Sequence, residues 1–476
     1  MGVGGLYLFS VGGPSYLQEY ITKLPLWGLG GFTPPLGLGG FTSFLFGGLF
    51  FIMTLYKANI LHTPTPQAFE VLPHGYIAVD DNGKIEGIYP VLPDHLRGAD
   101  VIDYGDSLLI PAMNDLHLHA PQYRNMGMAM DLQLLDWLQQ YTFPEEARFA
   151  AIDYAREVYT QLADDLVRHG TMRSAIFASI HPEATLLLAD ILTERGLGAM
   201  VGLVGMNRNS PDYLQNTTAD VVRDTERLMA HLDGNTLVRP IVTPRFVPSC
   251  TDDMLDALGT LAQRHGLPVQ SHLSENVSEI AWVRELQSEA TCYGDAYYRH
   301  GLFGQTPTLM AHCCYTDGEE LELMRRQGVV AVHCPTSNCN IASGMAHVRH
   351  LLDNGIRVAL GSDISGGHCL SMFRVMQYTL QVSKLIHAQT QGQEHFLTFA
   401  EAFWLATKAG GEFFGKVGAF LKGYDFDALV IDDARLDAPR YPLVSRLERY
   451  TYLGSEQDIT HRFCCGREVV GPVRLK

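Results

Sequence analysis

The stretch from residue 108 to residue 122 constrains the fold more than any other part of the sequence. An apolar run ends there at Pro111, and two histidines, His117 and His119, follow with one leucine between them. In a β-strand alternate side chains point to the same face, so both imidazoles would project together while Leu118 packs on the other side. In a chain with 19 histidines the pair alone is a weak signal. The His-x-His pair predicts half of a metal site, and the other ligands must come from elsewhere in the chain.

Three later apolar runs also end in side chains that bind metals or transfer protons. His272 and Glu275 follow the first run, His312 ends the second, and Asp363 follows the third. A parallel (β/α)8 barrel gathers the carboxyl ends of its strands at one mouth, where active sites lie. The sequence therefore predicts an α/β fold built around a TIM barrel, with these residues at its mouth.

The alternation of helical and strand patterns supports that fold and suggests domain boundaries. Repeated βα units are expected over residues 113–423. Short β-like runs at 53–112 and 424–476, separated by turn signals, predict one small β-sandwich domain built from both ends of the chain. The predicted helices cover residues 144–169, 182–195, 219–232, 252–265, 276–289, 317–327, 347–354, 371–387 and 397–411.

Length and composition fit a globular enzyme and exclude some partners. A chain of 476 residues can hold a barrel of ~250 residues plus a smaller unit. The net charge of −17 would repel phosphate backbones, so we expect no binding to nucleic acid. The nine cysteines lack the spacing of a disulfide framework, which predicts reduced thiols and a cytoplasmic location.

Residues 1–52 differ from the rest of the chain. They hold over a quarter of the 46 glycines and almost no charge beyond Glu19 and Lys23. Glycine and proline interrupt the apolar stretch too often for a membrane span. We expect a Gly-rich apolar extension outside the fold without membrane contact, a weak membrane-associating segment being the alternative. Whether the mature protein keeps these residues is left open.

The order His-x-His, His, His and Asp on successive strands resembles the amidohydrolase superfamily. The local motifs are most similar to those of its guanine-deaminating branch, and the resemblance covers roughly residues 53 to 476. The matching segments are 119–123, 131–138, 141–145, 243–246, 271–276, 333–338 and 361–367.

This resemblance implies one zinc ion per chain, held by His117, His119, His272 and Asp363. Nitrogen and carboxylate ligands suit zinc and leave a position for water, whose pKa falls to about 7, so hydroxide becomes available. Iron is the rival metal. Binuclear members use a bridging lysine after the fourth strand, whereas Arg245 stands here and stays protonated, so a single metal is expected.

The resemblance also implies roles in proton transfer. Glu275 would take a proton from the attacking water and deliver it to a ring nitrogen beside the attacked carbon. Asp363 would act as a base as well as a ligand. His312 would hydrogen-bond the hydroxide and the developing tetrahedral oxygen.

Substrate recognition is implied for Gln122, Arg245 and Phe246. Arg245 would donate to the six-position oxygen of a purine, which disfavours adenine because its amino group would leave the guanidinium unpaired. We interpret residues 333–338 as a loop beside the metal, with Asn338 orienting the pocket. Trp137 we interpret as part of a buried helix face.

The implied activity is hydrolytic deamination of guanine to xanthine and ammonia by a zinc-activated hydroxide, a step of purine catabolism. One alternative is a deaminase or chlorohydrolase of another heterocycle, such as 8-oxoguanine, cytosine or an s-triazine. A non-catalytic relative that uses the barrel for binding or assembly is a second alternative, although such relatives usually lose metal ligands. A small purine base is the expected partner, and the resemblance suggests a homodimer.

Overall fold

The computed structural model describes residues 53–470, so the predictions for residues 1–52 lie outside the described residues. The strands, numbered in chain order, are β1 Met53–Thr65, β2 Ala68–Asp80, β3 Ile85–Tyr89, β4 Asp100–Pro111, β5 Met113–His119, β6 Thr171–Phe177, β7 Gly198–Gly202, β8 Val204–Gly205, β9 Val238–Pro240, β10 Thr243–Pro244, β11 Val269–Leu273, β12 Thr308–His312, β13 Val330–His333, β14 Arg357–Leu360, β15 Ala428–Ile431, β16 Ile459–Cys464 and β17 Arg467–Glu468.

Strands from both ends of the described chain form one seven-stranded sheet. Its order is β17-β16-β15-β4-β1-β2-β3, and every pair is antiparallel except β1 with β4. Aromatic side chains fill one face, where Tyr56 stacks on Phe426 at 4.6 Å between ring centroids and meets Phe463 edge-on at 5.2 Å. Strands from residues 53–111 and from residues 428–468 therefore share one sheet.

The middle of the chain forms parallel sheets. One has the order β5-β6-β7-β9, a second has the order β11-β12-β13-β14, and β8 pairs with β10. The amide of Gln270 donates to the Val242 carbonyl at 2.9 Å, and the amide of His119 donates to the Ile364 carbonyl at 3.0 Å. These bonds bring the beginning of β11 and the end of β5 next to segments of other sheets. Together with the helices described next, these parallel sheets confirm the predicted α/β class.

Helices follow most of the parallel strands. They are α1 Leu134–Trp137, α2 Phe143–Ala147, α3 Ile152–His169, α4 Pro182–Glu194, α5 Thr218–His231, α6 Asp252–His265, α7 Val277–Leu286, α8 Tyr293–Arg299, α9 Gly318–Gln327, α10 Pro335–Asn340, α11 Val348–Asp353, α12 Met372–Gln389, α13 Phe399–Trp404 and α14 Leu443–Leu453. In the described part of the chain no helix combines the length and apolar character needed to cross a membrane.

The prediction of one continuous helix over residues 144–169 is wrong. The chain is extended at Ala151 (φ −85°, ψ 107°), which separates α2 and a short 3-10 turn from α3. The break lets Phe149 turn into the core, where its ring lies 4.9 Å from that of Tyr159. Apolar burial at this point outweighs the helical pattern, and it leaves α2 free to face the candidate site.

The cysteines are free thiols in the structure. All nine cysteines lie within the described residues, and none of them forms a disulfide.

Candidate active site

Four buried side chains predicted as metal ligands come together at the ends of three strands. His117 and His119 both lie on β5, His272 lies on β11, and Asp363 follows β14. Oδ1 of Asp363 is 3.2 Å from Nε2 of His117 and 3.5 Å from Nε2 of His119. The Nε2 atoms of His119 and His272 are 3.1 Å apart. Ligand atoms of His117, His119 and His272 are close enough to hold one metal ion.

The carboxylate of Asp115 fixes the end of β5 against the end of β14. Its Oδ1 accepts from the backbone amides of Ser362 at 2.9 Å and His117 at 3.2 Å, and its Oδ2 accepts from the Ser362 hydroxyl at 2.5 Å. The amide of Asp363 donates to the His117 carbonyl at 2.8 Å. A Cβ at Gly361 would lie 2.8 Å from the Cβ of His117, so only glycine allows this approach.

The hydrogen bonds of the histidines suit a metal. Nδ1 of His272 donates to the carbonyl of Arg245 at 2.6 Å, which leaves its Nε2 with a free lone pair. Nε2 of His117 is fully buried and has no hydrogen-bond partner among the described residues. A buried nitrogen without a hydrogen-bond partner is costly, and a cation bound by His117 Nε2 would remove that cost. The donor set therefore fits zinc or a similar metal.

The protonation states of the same residues also suit a metal. Burial lowers the pKa of His119 and of His272 well below the ordinary value, and the neighbouring His117 adds to the effect. Burial opposes ionisation of Asp363, but its interactions with His117 and then with His312 outweigh burial and hold the Asp363 pKa well below its usual range. Neutral imidazoles with an ionised carboxylate are the states that bind a metal.

Glu275 and His312 lie beside this cluster. Oε2 of Glu275 is 3.4 Å from Nε2 of His312, and Oε1 accepts from the hydroxyl of Ser343 at 2.7 Å. Nδ1 of His312 is 2.8 Å from Oδ1 of Asn338, which accepts its hydrogen. Burial raises the pKa of Glu275 above its ordinary value. A buried carboxyl with a raised pKa is suited to exchange protons near neutral pH.

Three residues of this region have backbone conformations that L-amino acids rarely adopt. The φ angles are 45° at Ser274, 75° at His312 and 46° at Asp363. Such conformations cost on the order of 1–3 kcal/mol each and persist where the surroundings fix them, often at functional sites. At His312 and Asp363, at and beyond the ends of β12 and β14, they direct the side chains toward the cavity, whereas the Ser274 hydroxyl donates to Glu320.

A cavity of about 390 Å³ opens onto the cluster. Its lining includes the three residues predicted to contact a substrate, Gln122, Arg245 and Phe246, together with Glu275 and His312. The apolar wall consists of Leu134, Trp137, Leu138 and Ile341.

One expectation about the surroundings is confirmed and another needs correction. Trp137 is buried as predicted, but it also lines the cavity, so its face of α1 is a pocket wall. Residues 335–340 form α10 and are not a loop, because Pro335 begins a helix after the end of β13. Asn338 lies on that helix with its side chain toward His312.

Sequence reasoning missed two buried residues next to the site. Glu146 bonds to both Gln122 and Arg245, and Ser343 bonds to Glu275. Glu146 directly follows segment 141–145, which matches the family motifs. That position was the one signal in the sequence that could have pointed to Glu146. For Ser343 the sequence offered none, since it stands in a short stretch of small and apolar residues after α10.

Comparisons with known proteins agree with this geometry. The family model described as "Amidohydrolase family" matches residues 108–469. The guanine deaminase of Dictyostelium discoideum is 37% identical, covering 88% of this chain and 98% of that protein. That of Rattus norvegicus is 34% identical, covering 87% and 96%. The crystal structure of guanine deaminase from C. acetobutylicum with guanine bound in its active site is 48% identical, with a TM-score of 0.87, and covers 88% of this chain and 100% of that one.

The chain therefore belongs to the amidohydrolase family. Within that family, the three relatives described above all carry the name guanine deaminase.

Proposed function

We propose that this chain catalyses the hydrolytic deamination of guanine to xanthine and ammonia. One observation carries the proposal: a single cavity joins the histidine and aspartate cluster to the hydrogen-bond donors of Gln122 and Arg245. The cluster can activate a hydrolytic reaction, and the donors can bind a carbonyl oxygen on a flat base. That the similar proteins are guanine deaminases, one of them with guanine bound in its active site, supports this substrate.

We place this site at the mouth of a (β/α)8 barrel over residues 113–423. The flanking domain would be a β-sandwich of residues 53–112 and 424–476. The parallel pairing of the central strands and the hydrogen bonds between β5 and the segment after β14 support a closed barrel. All predicted site residues then lie at or beyond the carboxyl ends of strands, where barrel enzymes act.

We propose one zinc ion per chain, held by His117, His119, His272 and Asp363, with Fe²⁺ as the alternative. When bound, such a metal lowers the pKa of a coordinated water from 15.7 to about 7. The free Nε2 atoms and the ionised carboxylate described above support this ligand set. Arg245 follows β10, where a second metal would need a lysine, so a single ion is proposed.

Protons then move through the side chains beside the ligands. Oε2 of Glu275 takes a proton from the attacking water and passes it to the ring nitrogen next to C2. The water oxygen bonds to C2, and the second water proton passes to the exocyclic amino group. The bond from C2 to that nitrogen then breaks and ammonia leaves, while the first proton stays on the ring nitrogen of xanthine. Asp363 assists as a second base. Because the Nδ1 hydrogen of His312 is already donated to Asn338, His312 donates from Nε2 to the developing oxygen as an imidazolium. Burial opposes this charge, but the carboxylates of Glu275 and Asp363 outweigh burial and raise the His312 pKa.

Substrate selection rests on the opposite wall of the cavity. Arg245 donates to the six-position oxygen of guanine, Gln122 contacts the ring, and the backbone at Phe246 lies beside it. Adenine presents an amino group where this oxygen would be, which leaves buried guanidinium hydrogens unpaired. Guanine is therefore preferred over adenine.

We further propose a homodimer with a small purine base as ligand and a cytoplasmic location. The oligomeric state can be measured by light scattering coupled to size exclusion.

The proposed function is tested by ammonia release from guanine, adenine, cytosine and 8-oxoguanine with zinc-loaded protein. We expect turnover of guanine above all others. Turnover of a different base would overturn the substrate, and the absence of turnover on every base would favour a binding or assembly role.

A further inference from the structure

The side chain of Glu146 connects two of the residues that face the proposed substrate. Glu146 lies on α2 and is only 3% exposed. Its Oε1 accepts from Nε2 of Gln122 at 2.8 Å, and its Oε2 accepts from Nη1 of Arg245 at 2.6 Å. Glu146 itself is not among the residues that line the cavity. It can therefore affect a ligand only through its two partners.

These contacts fix the orientation of the Gln122 amide. A carboxylate only accepts hydrogen bonds and a backbone N–H only donates them. Nε2 of Gln122 therefore faces Glu146, while its Oε1 accepts from the backbone amide of Ser365 at 3.2 Å. The second hydrogen of Nε2 stays available to a ligand in the cavity. Without the carboxylate, the amide could rotate and present an acceptor in the same place.

The same carboxylate fixes and neutralises Arg245. Both side chains of this ion pair are buried, at 4% and 3% exposure. The guanidinium carbon lies 5.1 Å from the centre of the Phe143 ring, and in the described part of the chain the Arg245 guanidinium makes no hydrogen bond other than that to Glu146. A buried cation without a partner is costly, so Glu146 is what lets Arg245 keep free N–H groups toward the cavity.

We propose that Glu146 is a positioning residue that sets the preference of the cavity for purines with a six-position oxygen. The inference rests on the proposed function, in which Arg245 donates to that oxygen and Gln122 contacts the ring beside it. It adds a residue that touches neither the base nor the metal ligands. A merely structural ion pair would weaken every ligand of the cavity by a similar factor, whereas a positioning role weakens only those with the oxygen.

The test compares the binding of hypoxanthine and purine, measured by titration calorimetry on the zinc-loaded protein. Neither has the exocyclic amino group that would be hydrolysed, and they differ in the six-position oxygen and the proton it places on N1. The ratio of the two Kd values, purine over hypoxanthine, measures recognition of that oxygen. We expect Glu146→Gln to lower this ratio by about tenfold or more, the size of a lost charge-assisted hydrogen bond.

Glu145→Gln is the matched control. Glu145 precedes Glu146 on α2, is also buried, and pairs with Arg148 and Tyr154 instead of with the cavity residues. We expect its Kd ratio to equal that of the wild type. An unchanged ratio in Glu146→Gln, or an equal rise of both Kd values, would overturn the proposal. So would a wild-type ratio close to one.

A second variant covers the case in which Glu146→Gln fails to fold with Arg245 unpaired. Glu146→Asp keeps the charge but is one methylene shorter, so it cannot reach both partners in their present positions. We expect its ratio to fall by about threefold while its unfolding temperature stays near that of the wild type. An unchanged ratio would overturn the proposal. Because binding needs no turnover, failure of wild-type guanine deamination is a separate result and concerns the proposed function.

Discussion

The hydroxyl of Ser343 donates a hydrogen bond of 2.7 Å to Oε1 of Glu275. This bond directs the other carboxylate oxygen toward His312. Since the hydroxyl stabilises the ionised carboxylate, it limits the rise in the Glu275 pKa that burial causes. Ser343 thus affects both the position and the proton affinity of the proposed proton shuttle.

Replacing Ser343 by alanine should slow the reaction and shift its pH profile. We expect kcat to fall about tenfold with little change in KM, because the base is less well placed. Glu275 must be ionised to take up a proton, so a higher pKa moves the acidic limb of kcat/KM to higher pH. Steady-state kinetics across pH would measure this. Ser383→Ala, which removes a buried hydroxyl on α12 that bonds to Leu380, is the control; equal profiles for both variants would contradict the role.

Asn338 should orient His312 without contacting the metal. Its Oδ1 accepts from Nδ1 of His312 at 2.8 Å, so Asn338→Leu removes the acceptor while keeping the volume. We expect kcat to fall about 10- to 100-fold, as for other residues that orient a catalytic imidazole, with an unchanged zinc content. Kinetics and metal analysis of the same sample test this. Loss of zinc in proportion to loss of activity would instead mean that the change disrupts the ligands.

Metal removal should destabilise the protein as well as inactivate it. A ligand that binds only the folded state stabilises it by about 2.7 kcal/mol at 100 times its Kd. We therefore expect chelation to lower the unfolding temperature and added zinc to restore it. His117→Asn should lose both the metal and this response, whereas His395→Asn, an exposed histidine, should keep them. A chelated wild type with an unchanged unfolding temperature would argue against a structural contribution of the metal.

The buried ion pair between Arg173 and Asp427 should stabilise the junction of β6 with the terminal sheet. Nε of Arg173 lies 2.5 Å from Oδ2 of Asp427, and both side chains are almost fully buried. Arg173→Met leaves a buried carboxylate unpaired, which costs about 3–5 kcal/mol. Arg227→Met breaks an exposed pair with Glu183 and should cost no more than about 1 kcal/mol. Urea unfolding measures the free energy of unfolding of both variants. Equal losses of this free energy would contradict the account.

The candidate metal ligands could be predicted from the sequence because strand ends are local features. His117 and His119 show the alternation of a strand, and His272 and Asp363 each follow a short apolar run. Parallel strands bring such ends to one edge, so the grouping follows from the pattern. The convergence of the strand ends follows from the order of the elements, whereas the resemblance to the amidohydrolase superfamily implied which of these residues would hold the metal.

Glu146 could not be predicted in the same way, because the neighbouring Glu145 has the same side chain. Only the break at Ala151 and the packing of Phe149 decide how α2 lies, and therefore which of the two carboxylates faces Arg245. The start of α10 at Pro335 was missed for a related reason, since a six-residue helix has too little periodicity to be recognised. Long-range packing determines both features.

The most direct measurement is the conversion of guanine to xanthine by the zinc-loaded chain, with xanthine and ammonia quantified together. We expect equal amounts of the two products from the wild type and from Glu285→Gln, which changes an exposed glutamate on α7. Glu275→Gln should bind zinc normally and lose activity by about 100-fold or more, since its amide cannot accept the proton. Full activity in Glu275→Gln, or no xanthine from the zinc-loaded wild type, would contradict the account.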